Sequence, residues 1–303
     1  MTKVSVIVPV FGCDQTLEVL TERVSKTLEP RIDDFELVFV DDGNSGDTWK
    51  IIRNLASKHK CIRGIRLSRN FGQHPAIMAG IRSARGDLLV ILDCDLQDPI
   101  EEIPKFLESL ASFEVAISLR KPELRSRVRS FQSAAYVKIL KLLTGVSIDP
   151  RAGGLVAMTR KVANEYIQFR EPDHHLLYTL DWLGFATTYI ETDRHPRLNG
   201  RSSYGLVRRV KHAVRGALFH SARLVLFVAL LGAALASVGA LTLLFILIRA
   251  IGDAPVSGWL STIGATILLT GFNLIVTATI ALYVTRTFEL AKQRPLFVVS
   301  EEL

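Results

Sequence analysis

Three carboxylates lie within six residues at the end of an apolar run. Asp93, Asp95 and Asp98 follow LLVIL in the stretch ILDCDLQDP. Alternate side chains of an extended chain point the same way, so Asp93 and Asp95 face one ligand while Cys94 points elsewhere. Carboxylates without a neighbouring Cys or His ligand set suit a hard divalent cation, Mg²⁺ or Mn²⁺. We predict a metal site at Asp93 and Asp95, with Gln97 or Asp98 completing or orienting the shell.

A helix start is the alternative interpretation of this cluster. Asp98-Pro99 followed by Glu101 and Glu102 fits an N-cap with an acidic first turn. We assign Asp98 to that cap. The cap does not account for Asp93 and Asp95, which precede it, so the metal interpretation is kept for that pair.

A second acidic group ends another apolar run, in the stretch VDDGNSGDT. Asp41 and Asp42 close the predicted strand, Gly43 allows the turn, and Asp47 is placed to cap the next helix. The Asp41/Asp42 pair is suited to accept hydrogen bonds from a base or ribose. Neither G-x-x-x-x-G-K-[ST] nor G-x-G-x-x-G after the first strand occurs, which argues against an ordinary ATPase or dinucleotide enzyme.

The first 120 residues alternate between strand-like and helix-like stretches. The strand-like runs are VSVIVPVF, FELVFVDD, IRGIRLS, DLLVILD and EVAISL, and segments of helical spacing separate them. Continuous β-branched runs of this kind indicate a mostly parallel sheet covered by helices on both faces. Ligands of such sheets bind beyond the carboxyl ends of the strands, where both acidic groups lie.

The apolar excess of the chain lies after residue 222. The 303 residues carry a net charge of +7 and are 49% hydrophobic, with a mean hydropathy of +0.26. Residues 224–248 and 259–284 contain no charged side chain, and each is longer than the roughly 20 residues that cross a bilayer core. Cations flank the outer ends of both segments, which predicts a transmembrane hairpin with both termini in the cytoplasm.

Two basic amphipathic segments precede the predicted hairpin. Residues 204–221 place apolar side chains on one helical face and four cations on the other, which favours a helix in the membrane interface. Residues 125–143 show the same design, and for them an interfacial helix and a domain-surface helix are both open. These cations are not interleaved with stacking aromatics, which argues against nucleic-acid binding.

The remaining thiols and imidazoles offer no metal motif. Cys13, Cys61 and Cys94 are an odd set without a pairing pattern, which predicts reduced thiols on the cytosolic side. No C-x-x-C occurs. His174 and His175 are adjacent and diverge in regular structure, so we predict solvated or capping side chains.

Five ordered segments carry a family resemblance: VSVIVPVFGCDQTL, VFVDDGNSGDTW, LSRNFGQHPAIMAGI, GDLLVILDCDLQDP and RLNGRSSYGL. The chain resembles family 2 glycosyltransferases, in particular the polyprenyl-phosphate glycosyltransferases that include dolichyl-phosphate mannose synthase and bacterial undecaprenyl-phosphate sugar transferases. The likeness covers nearly the whole chain. It implies a Rossmann-like α/β A-type glycosyltransferase domain over 1–203, an interfacial helix over 204–222, and a transmembrane hairpin with a cytosolic tail over 223–303.

The resemblance also implies roles for individual residues. The residues implied to bind the nucleotide sugar are Pro9, Phe11, Asp14, Val40, Asp42, Asp93, Cys94, Asp95 and Arg120. The implied catalytic residues are Asp95, Arg120 and Arg197. The implied metal ligands for Mg²⁺ or Mn²⁺ are Asp93, Asp95 and Gln97. The acceptor phosphate is assigned to Arg197, Arg201, Ser202 and Ser203. Ser203 stands where the family has Lys, and DPRAGGLVAM departs from the family pattern D-x-x-S-G-F-R.

The implied reaction is inverting transfer of a sugar from a nucleotide diphosphate sugar to a polyprenyl phosphate. It would take place at the cytosolic face of the bacterial inner membrane, and the oligomeric state is left open. One alternative is transfer to another lipid or to a polysaccharide. Processive polysaccharide synthases usually carry Q-x-x-R-W and more membrane spans, and neither is found in the sequence. The other alternative is a membrane-tethered binding module without turnover.

Overall fold

The computed structural model describes residues 3–32, 34–121, 149, 151–171, 175–193 and 291–303, together with interspersed helical residues between 262 and 288. Several predictions fall outside these residues. They are the helices at 125–143 and 204–221, the span at 224–248, much of the span at 259–284, and the acceptor-phosphate residues Arg197, Arg201, Ser202 and Ser203.

The described strands form one eight-stranded sheet. They are β1 (Val4–Val10), β2 (Phe35–Asp41), β3 (Ile62–Leu67), β4 (Leu88–Ile91), β5 (Val115–Arg120), β6 (Ala152–Thr159), β7 (Thr187–Thr192) and β8 (Val299–Glu302). Their order is β7-β5-β6-β4-β1-β2-β3-β8. Parallel ladders join β1 to β2 and β4, β2 to β3, and β5 to β7. The predicted mostly parallel α/β fold is confirmed, and the five predicted strands are β1 to β5.

Six described helices lie on the two faces of the sheet. They are α1 (Leu17–Leu28), α2 (Thr48–Lys58), α3 (Gln73–Ser83), α4 (Ile103–Ser109), α5 (Arg160–Tyr166) and α6 (Leu176–Leu183). Apolar side chains of α1, α2 and α4 share one buried core, and those of α3, α5 and α6 share the other. Neighbours on β1 divide between the cores, since Val6 and Val8 enter the first and Ile7 enters the second. This alternation explains why β1 is apolar at nearly every position.

Strand β6 runs antiparallel between β4 and β5. Because its direction is reversed, its amino end lies at the edge where β4 and β5 have their carboxyl ends. The start of β6, including Gly153 and Gly154, therefore reaches the predicted ligand-binding edge. The prediction from sequence did not include this strand.

Strand β8 closes the other side of the sheet. It pairs antiparallel with β3, placing Glu301 opposite Arg66 and Glu302 opposite Ile65. The compact unit that contains the sheet comprises Met1–Ser133, Val146–Ser203 and Arg294–Leu303. The chain thus leaves this unit after residue 203 and supplies its last strand from the tail.

A second compact unit includes Tyr204–Gln293. Those of its residues that are described between 262 and 288 are helical. Within the described part of the chain, no helix combines the length and apolarity needed to span a bilayer.

Candidate active site

The loops that follow β1, β2 and β4 are joined at one edge of the sheet. The backbone N–H of Asp42 donates to the carbonyl of Val10 (3.1 Å). The Thr16 hydroxyl lies within hydrogen-bonding distance of the carbonyls of Cys13 (2.8 Å) and Cys94 (2.6 Å). Because parallel strands end together, these loops bring the nucleotide-site candidates and the paired carboxylates into one region.

The carboxylate of Asp93 has a defined orientation. Gln73, the first residue of α3, donates from Nε2 to Asp93 Oδ1 (2.8 Å). On the other side, a Cβ added to Gly154 would lie only 2.4 Å from Asp93 Oδ2. The amide of α3 and the bare backbone of β6 therefore fix this carboxylate from two directions.

Asp98 does not cap a helix, so that prediction is wrong. The short 3-10 helix Ile100–Glu102 has Pro99 at its N-cap position and no side-chain capping bond. The Asp98 side chain instead turns towards β6, where a Cβ on Gly154 would lie 2.9 Å from Asp98 Oδ2. Asp98 is only 9% exposed, and it brings a third carboxylate to the same strand end.

The donor set near Asp95 fits a hard cation. Gln97 is only 7% exposed, and its side-chain Oε1 finds no hydrogen-bond partner in the described part of the chain. Its backbone N–H donates to Asp95 Oδ1 (3.2 Å). The described residues contain no group of three His, Cys, Asp or Glu side chains arranged to hold a metal. Two carboxylates and an amide oxygen are a different set, and oxygen donors of this kind suit Mg²⁺ or Mn²⁺ when phosphates supply further ligands.

Cys13 and Cys94 form a disulfide, so the prediction that all three thiols are reduced is wrong. The two cysteines are 81 residues apart in sequence, and sequence spacing gave no pairing signal. They meet because β1 and β4 are neighbours in the sheet and each cysteine follows its strand closely. The Cys94 side chain, only 7% exposed, is therefore held in a covalent bond to the loop after β1 and is not open to a nucleotide. Cys61 is free.

The nucleotide-site candidates from β1 and β2 differ in accessibility. Phe11 is 59% exposed, so its ring is open to a flat partner. Pro9 and Val40 are paired in register across the two strands and are buried. Their side chains belong to the core, so their contact with a nucleotide would come from the backbone at the strand ends.

The Asp41/Asp42 pair holds loops together. Asp41 is 0% exposed and accepts hydrogen bonds at Oδ1 from the backbone N–H (3.0 Å) and Nδ2 (2.8 Å) of Asn44. The prediction that Asp41 faces a base or ribose is wrong, because its carboxylate is enclosed. Asp42 is 2% exposed and accepts backbone N–H bonds from Phe71 (2.8 Å) and Gly72 (2.9 Å), one at each carboxylate oxygen, so its predicted contact with the nucleotide is wrong for the same reason.

The environment of Asp42 disfavours the charged form of its carboxyl group. Burial raises the pKa of Asp42 above its ordinary value. The hydrogen bonds from the backbone of Phe71 and Gly72 oppose that rise, whereas the neighbouring Asp41 charge adds to it. Negative charge is therefore costly here, as expected of a region that receives a cation.

Two further candidates stand at the margin of the region. Asp14 accepts a hydrogen bond from the Thr48 hydroxyl at the start of α2. Arg120 ends β5 and is half-buried at the same edge.

Asp47 occupies the N-cap position of α2 without a capping bond, because its carboxylate pairs with Lys50 (2.6 Å). The predicted capping bond of Asp47 is therefore wrong.

Sequence reasoning missed Gln73, Asn44 and Gly154. Gln73 and Asn44 lie inside two of the motifs that carried the resemblance, which was the available signal. Gly154 lies in DPRAGGLVAM, the stretch noted for its departure from the family pattern, but β6 was not predicted there. His175 was expected to be solvated or to cap a helix. It makes no capping bond to α6, and its ring packs 4.3 Å from that of His74, between centroids.

Comparison with known proteins identifies the family of the chain. Residues 5–167 match the family described as glycosyl transferase family 2. The chain belongs to this family. The matched segment contains β1 to β6, and with them every loop of the candidate site.

Relatives within the glycosyltransferases extend the likeness over the whole chain. An undecaprenyl-phosphate 4-deoxy-4-formamido-L-arabinose transferase of Aeromonas hydrophila is 26% identical over 98% of this chain and 93% of its own length. A bactoprenol glucosyl transferase of Shigella phage SfV is 27% identical over 99% of both chains. These relatives support the resemblance to the polyprenyl-phosphate group.

A solved structure shows the same fold. Glucosyl-3-phosphoglycerate synthase from Mycobacterium tuberculosis, in complex with Mn²⁺, uridine diphosphate and phosphoglyceric acid, aligns with a TM-score of 0.51. It is 20% identical and covers 74% of this chain and 78% of its own. The present chain, as a family 2 glycosyltransferase, therefore has the α/β architecture expected of A-type enzymes.

Proposed function

We propose that the protein transfers a sugar from a nucleotide diphosphate sugar to a polyprenyl phosphate, with inversion at the anomeric carbon. The observation that carries the proposal is the carboxylate pair Asp93 and Asp95 beside the Gln97 side-chain oxygen, which has no hydrogen-bond partner among the described residues, at the strand edge where Phe11 is exposed. The names of the undecaprenyl-phosphate and bactoprenol relatives support the choice of acceptor.

The chain's own residues divide the work of binding the donor. Phe11 offers a ring for the base, and Asp42 ties the loops after β2 and β3 together. Asp93, Asp95 and Gln97 are the residues that would hold a divalent cation, with Gln73 fixing the orientation of Asp93. A bound cation would neutralise charge on the departing diphosphate.

The acceptor needs little help from a base. A lipid phosphate is already anionic near neutral pH, so the enzyme must position and desolvate it. Arg120, at the end of β5, supplies a cation at this edge. Arg197 and Arg201 are the other candidates for forked hydrogen bonds to phosphate, and both lie outside the described residues.

The membrane hairpin and the cytosolic orientation belong to this proposal. The two uncharged segments and their flanking cations support both. The disulfide points the other way, because cytosolic thiols are normally kept reduced. Membrane-impermeant thiol labelling of an Asp253→Cys variant in intact cells tests the topology. Labelling only after the cells are opened would contradict an outer linker.

Activity is tested with a screen of radiolabelled nucleotide sugars against undecaprenyl phosphate. The expected result is label in the lipid phase together with release of nucleoside diphosphate. Label in another lipid or in polymer would favour the alternative acceptors. Nucleotide binding without release under any acceptor would leave a binding module and reject the proposal.

A further inference from the structure

The tail strand β8 carries two acids, Glu301 and Glu302, whose side chains contact different residues of the domain. Consecutive side chains of a strand point to opposite faces. Glu301 accepts hydrogen bonds from Trp49 Nε1 (2.9 Å), Arg53 (2.9 Å) and Arg66 (3.0 Å). Glu302 instead accepts from Arg63 (2.6 Å) and Ser83 (2.9 Å). Both acids therefore fasten the tail, but to separate sets of partners.

The contacts of Glu301 continue towards the candidate site. Arg66 holds Glu301 Oε1 with one guanidinium nitrogen, and its Nε lies 3.5 Å from Asp41 Oδ2. Asp41 is fully buried, so Arg66 is the cation that faces this enclosed carboxylate among the described residues. The other oxygen of Asp41 holds Asn44 through two hydrogen bonds.

Asn44 passes this restraint to the loop that carries Phe11. Its Nδ2 donates to the carbonyl of Val10 (3.0 Å), and its Oδ1 accepts from the backbone N–H of Gly12 (3.1 Å). The two residues flank Phe11, and Gly12 has a φ of 70°, a left-handed conformation that fixes the turn. The position of the exposed ring thus depends on Asn44.

We propose that Glu301 is a positioning residue for the nucleotide of the donor, acting through Arg66, Asp41 and Asn44 on the loop of Phe11. The inference rests on the proposed function. Arg66 contacts two carboxylates, those of Glu301 and Asp41. Without the Glu301 charge, only Asp41 remains as its anionic partner, and the guanidinium is less firmly held beside Asp41. A buried carboxylate whose cation is less firmly held has more freedom to change its other contacts, including those to Asn44.

Glu302 provides a matched control on the same strand. Its partner Arg63 also pairs with Glu36 (3.2 Å), which lies near the start of β2, at the opposite end of the strands from the site. Glu302→Gln therefore removes a comparable tail contact without disturbing the route to Phe11.

The test is nucleotide binding to the purified full chain, measured by titration calorimetry with uridine diphosphate and with guanosine diphosphate, each with Mn²⁺. For whichever nucleotide binds the wild type, Glu301→Gln should raise Kd about fivefold or more, the effect of weakening one charge-assisted hydrogen bond. Glu301→Asp should restore part of the affinity, and Glu302→Gln should leave Kd unchanged. Arg66→Lys gives a second reading of the same route and should also weaken binding.

The outcomes separate this inference from the proposed function. Equal weakening by Glu301→Gln and Glu302→Gln would show that the tail is only an anchor, and unchanged binding in Glu301→Gln would reject the route to Phe11. In both cases the proposed function stands. A wild type that binds neither nucleotide would reject a uridine or guanosine diphosphate donor, and the inference with it, whereas the transfer screen would still test the proposed function with other nucleotide sugars.

Discussion

The two ends of strand β2 treat negative charge in opposite ways. Near its start, the buried Glu36 accepts hydrogen bonds from Ser5 (2.6 Å), the backbone of Arg85, and Arg63 (3.2 Å). Burial pushes the pKa of Glu36 upward, but these bonds together outweigh it, and its pKa lies below the ordinary value. The carboxylate has the partners that a buried anion requires.

At the carboxyl end the balance is reversed. Asp41 and Asp42 close the strand, and the loop after the next strand but one in the sheet adds Asp93, Asp95 and Asp98. Burial there raises the pKa of Asp42 despite two backbone hydrogen bonds. Near its start the strand thus has an ion pair and a lowered carboxylate pKa, whereas just after its end the carboxylate of Asp42 has a raised pKa. Asp41 is paired with Arg66, so the cation site that we propose at this end uses the carboxylates of the loop after β4.

The largest expected effect comes from removing a carboxylate at the carboxyl end. Asp93→Asn or Asp95→Asn should lower sugar transfer at least about 1,000-fold, because charge on the departing diphosphate is no longer neutralised. Thermal unfolding in detergent should be little changed. Glu36→Gln serves as the control and should keep its metal dependence. Full transfer by Asp93→Asn in a chelator would contradict the comparison.

Removing the disulfide tests whether the Cys13–Cys94 bond stabilises the loops after β1 and β4 at the candidate site. Replacing both Cys13 and Cys94 by Ser should lower stability by about 2–4 kcal/mol, as expected for a crosslink that closes a long loop. Transfer should persist, since Thr16 still contacts the carbonyls of both loops. Cys61→Ser is the matched control. A loss of transfer as large as that of Asp93→Asn would show that the crosslink is required for the site.

Removing the charge of Glu36 near the start of β2 should lower the stability of the domain without changing sugar transfer. Glu36→Gln is expected to destabilise the domain by about 1–3 kcal/mol, because its buried partners lose a charged acceptor. Thermal unfolding measures this loss, and nucleotide binding should be retained. Unchanged stability would mean that Glu36 is not the anchor described here.

The smallest effect is a difference in the sign of two pH dependences. The pKa of Glu36 is lowered, so its stabilisation is present above its unfolded pKa and is lost as pH falls through the folded value. The pKa of Asp42 is raised, so its stabilisation is present below its unfolded pKa and is lost as pH rises through the folded value.

Thermal unfolding between about pH 3 and about pH 7 measures how the stability contributed by each carboxyl group changes with pH. The stability of wild type relative to Glu36→Gln should grow with rising pH, whereas that relative to Asp42→Asn should shrink. Two slopes of the same sign would contradict the contrast between the strand ends.

Local patterns predicted the central part of this fold, and long-range pairings limited the rest. Strands β1, β2, β4 and β5 are mostly apolar, and β3 places Arg63 and Arg66 between apolar residues, so the sequence marks all five strands directly. Strand β6 has a similar run, but its place between β4 and β5 depends on topology that no local pattern contains. The same limit hid the Cys13–Cys94 bond across 81 residues and the contact of Glu301 with Arg66.

The candidate site divides along the same line. Asp93 and Asp95 were proposed from the alternation of side chains in an extended chain, but β4 ends at Ile91 and Cys94 and Asp95 lie in a turn, so strand alternation does not orient this pair. The role of Asp98 was misjudged, since a Pro after an acid is also typical of a helix start. Only the approach of Gly154 from β6 shows that this carboxylate turns towards Asp93.

Strand β8 also bears on the order in which the protein is made. Its partner β3 is complete early in synthesis, but Glu301 follows Arg66 by 235 residues. During that interval one edge of β3 has unpaired backbone groups, which are a template for association between chains. The predicted membrane hairpin emerges from the ribosome within the same interval. Variants that delay its insertion should therefore prolong the open edge and aggregate, even when every residue of the finished fold is intact.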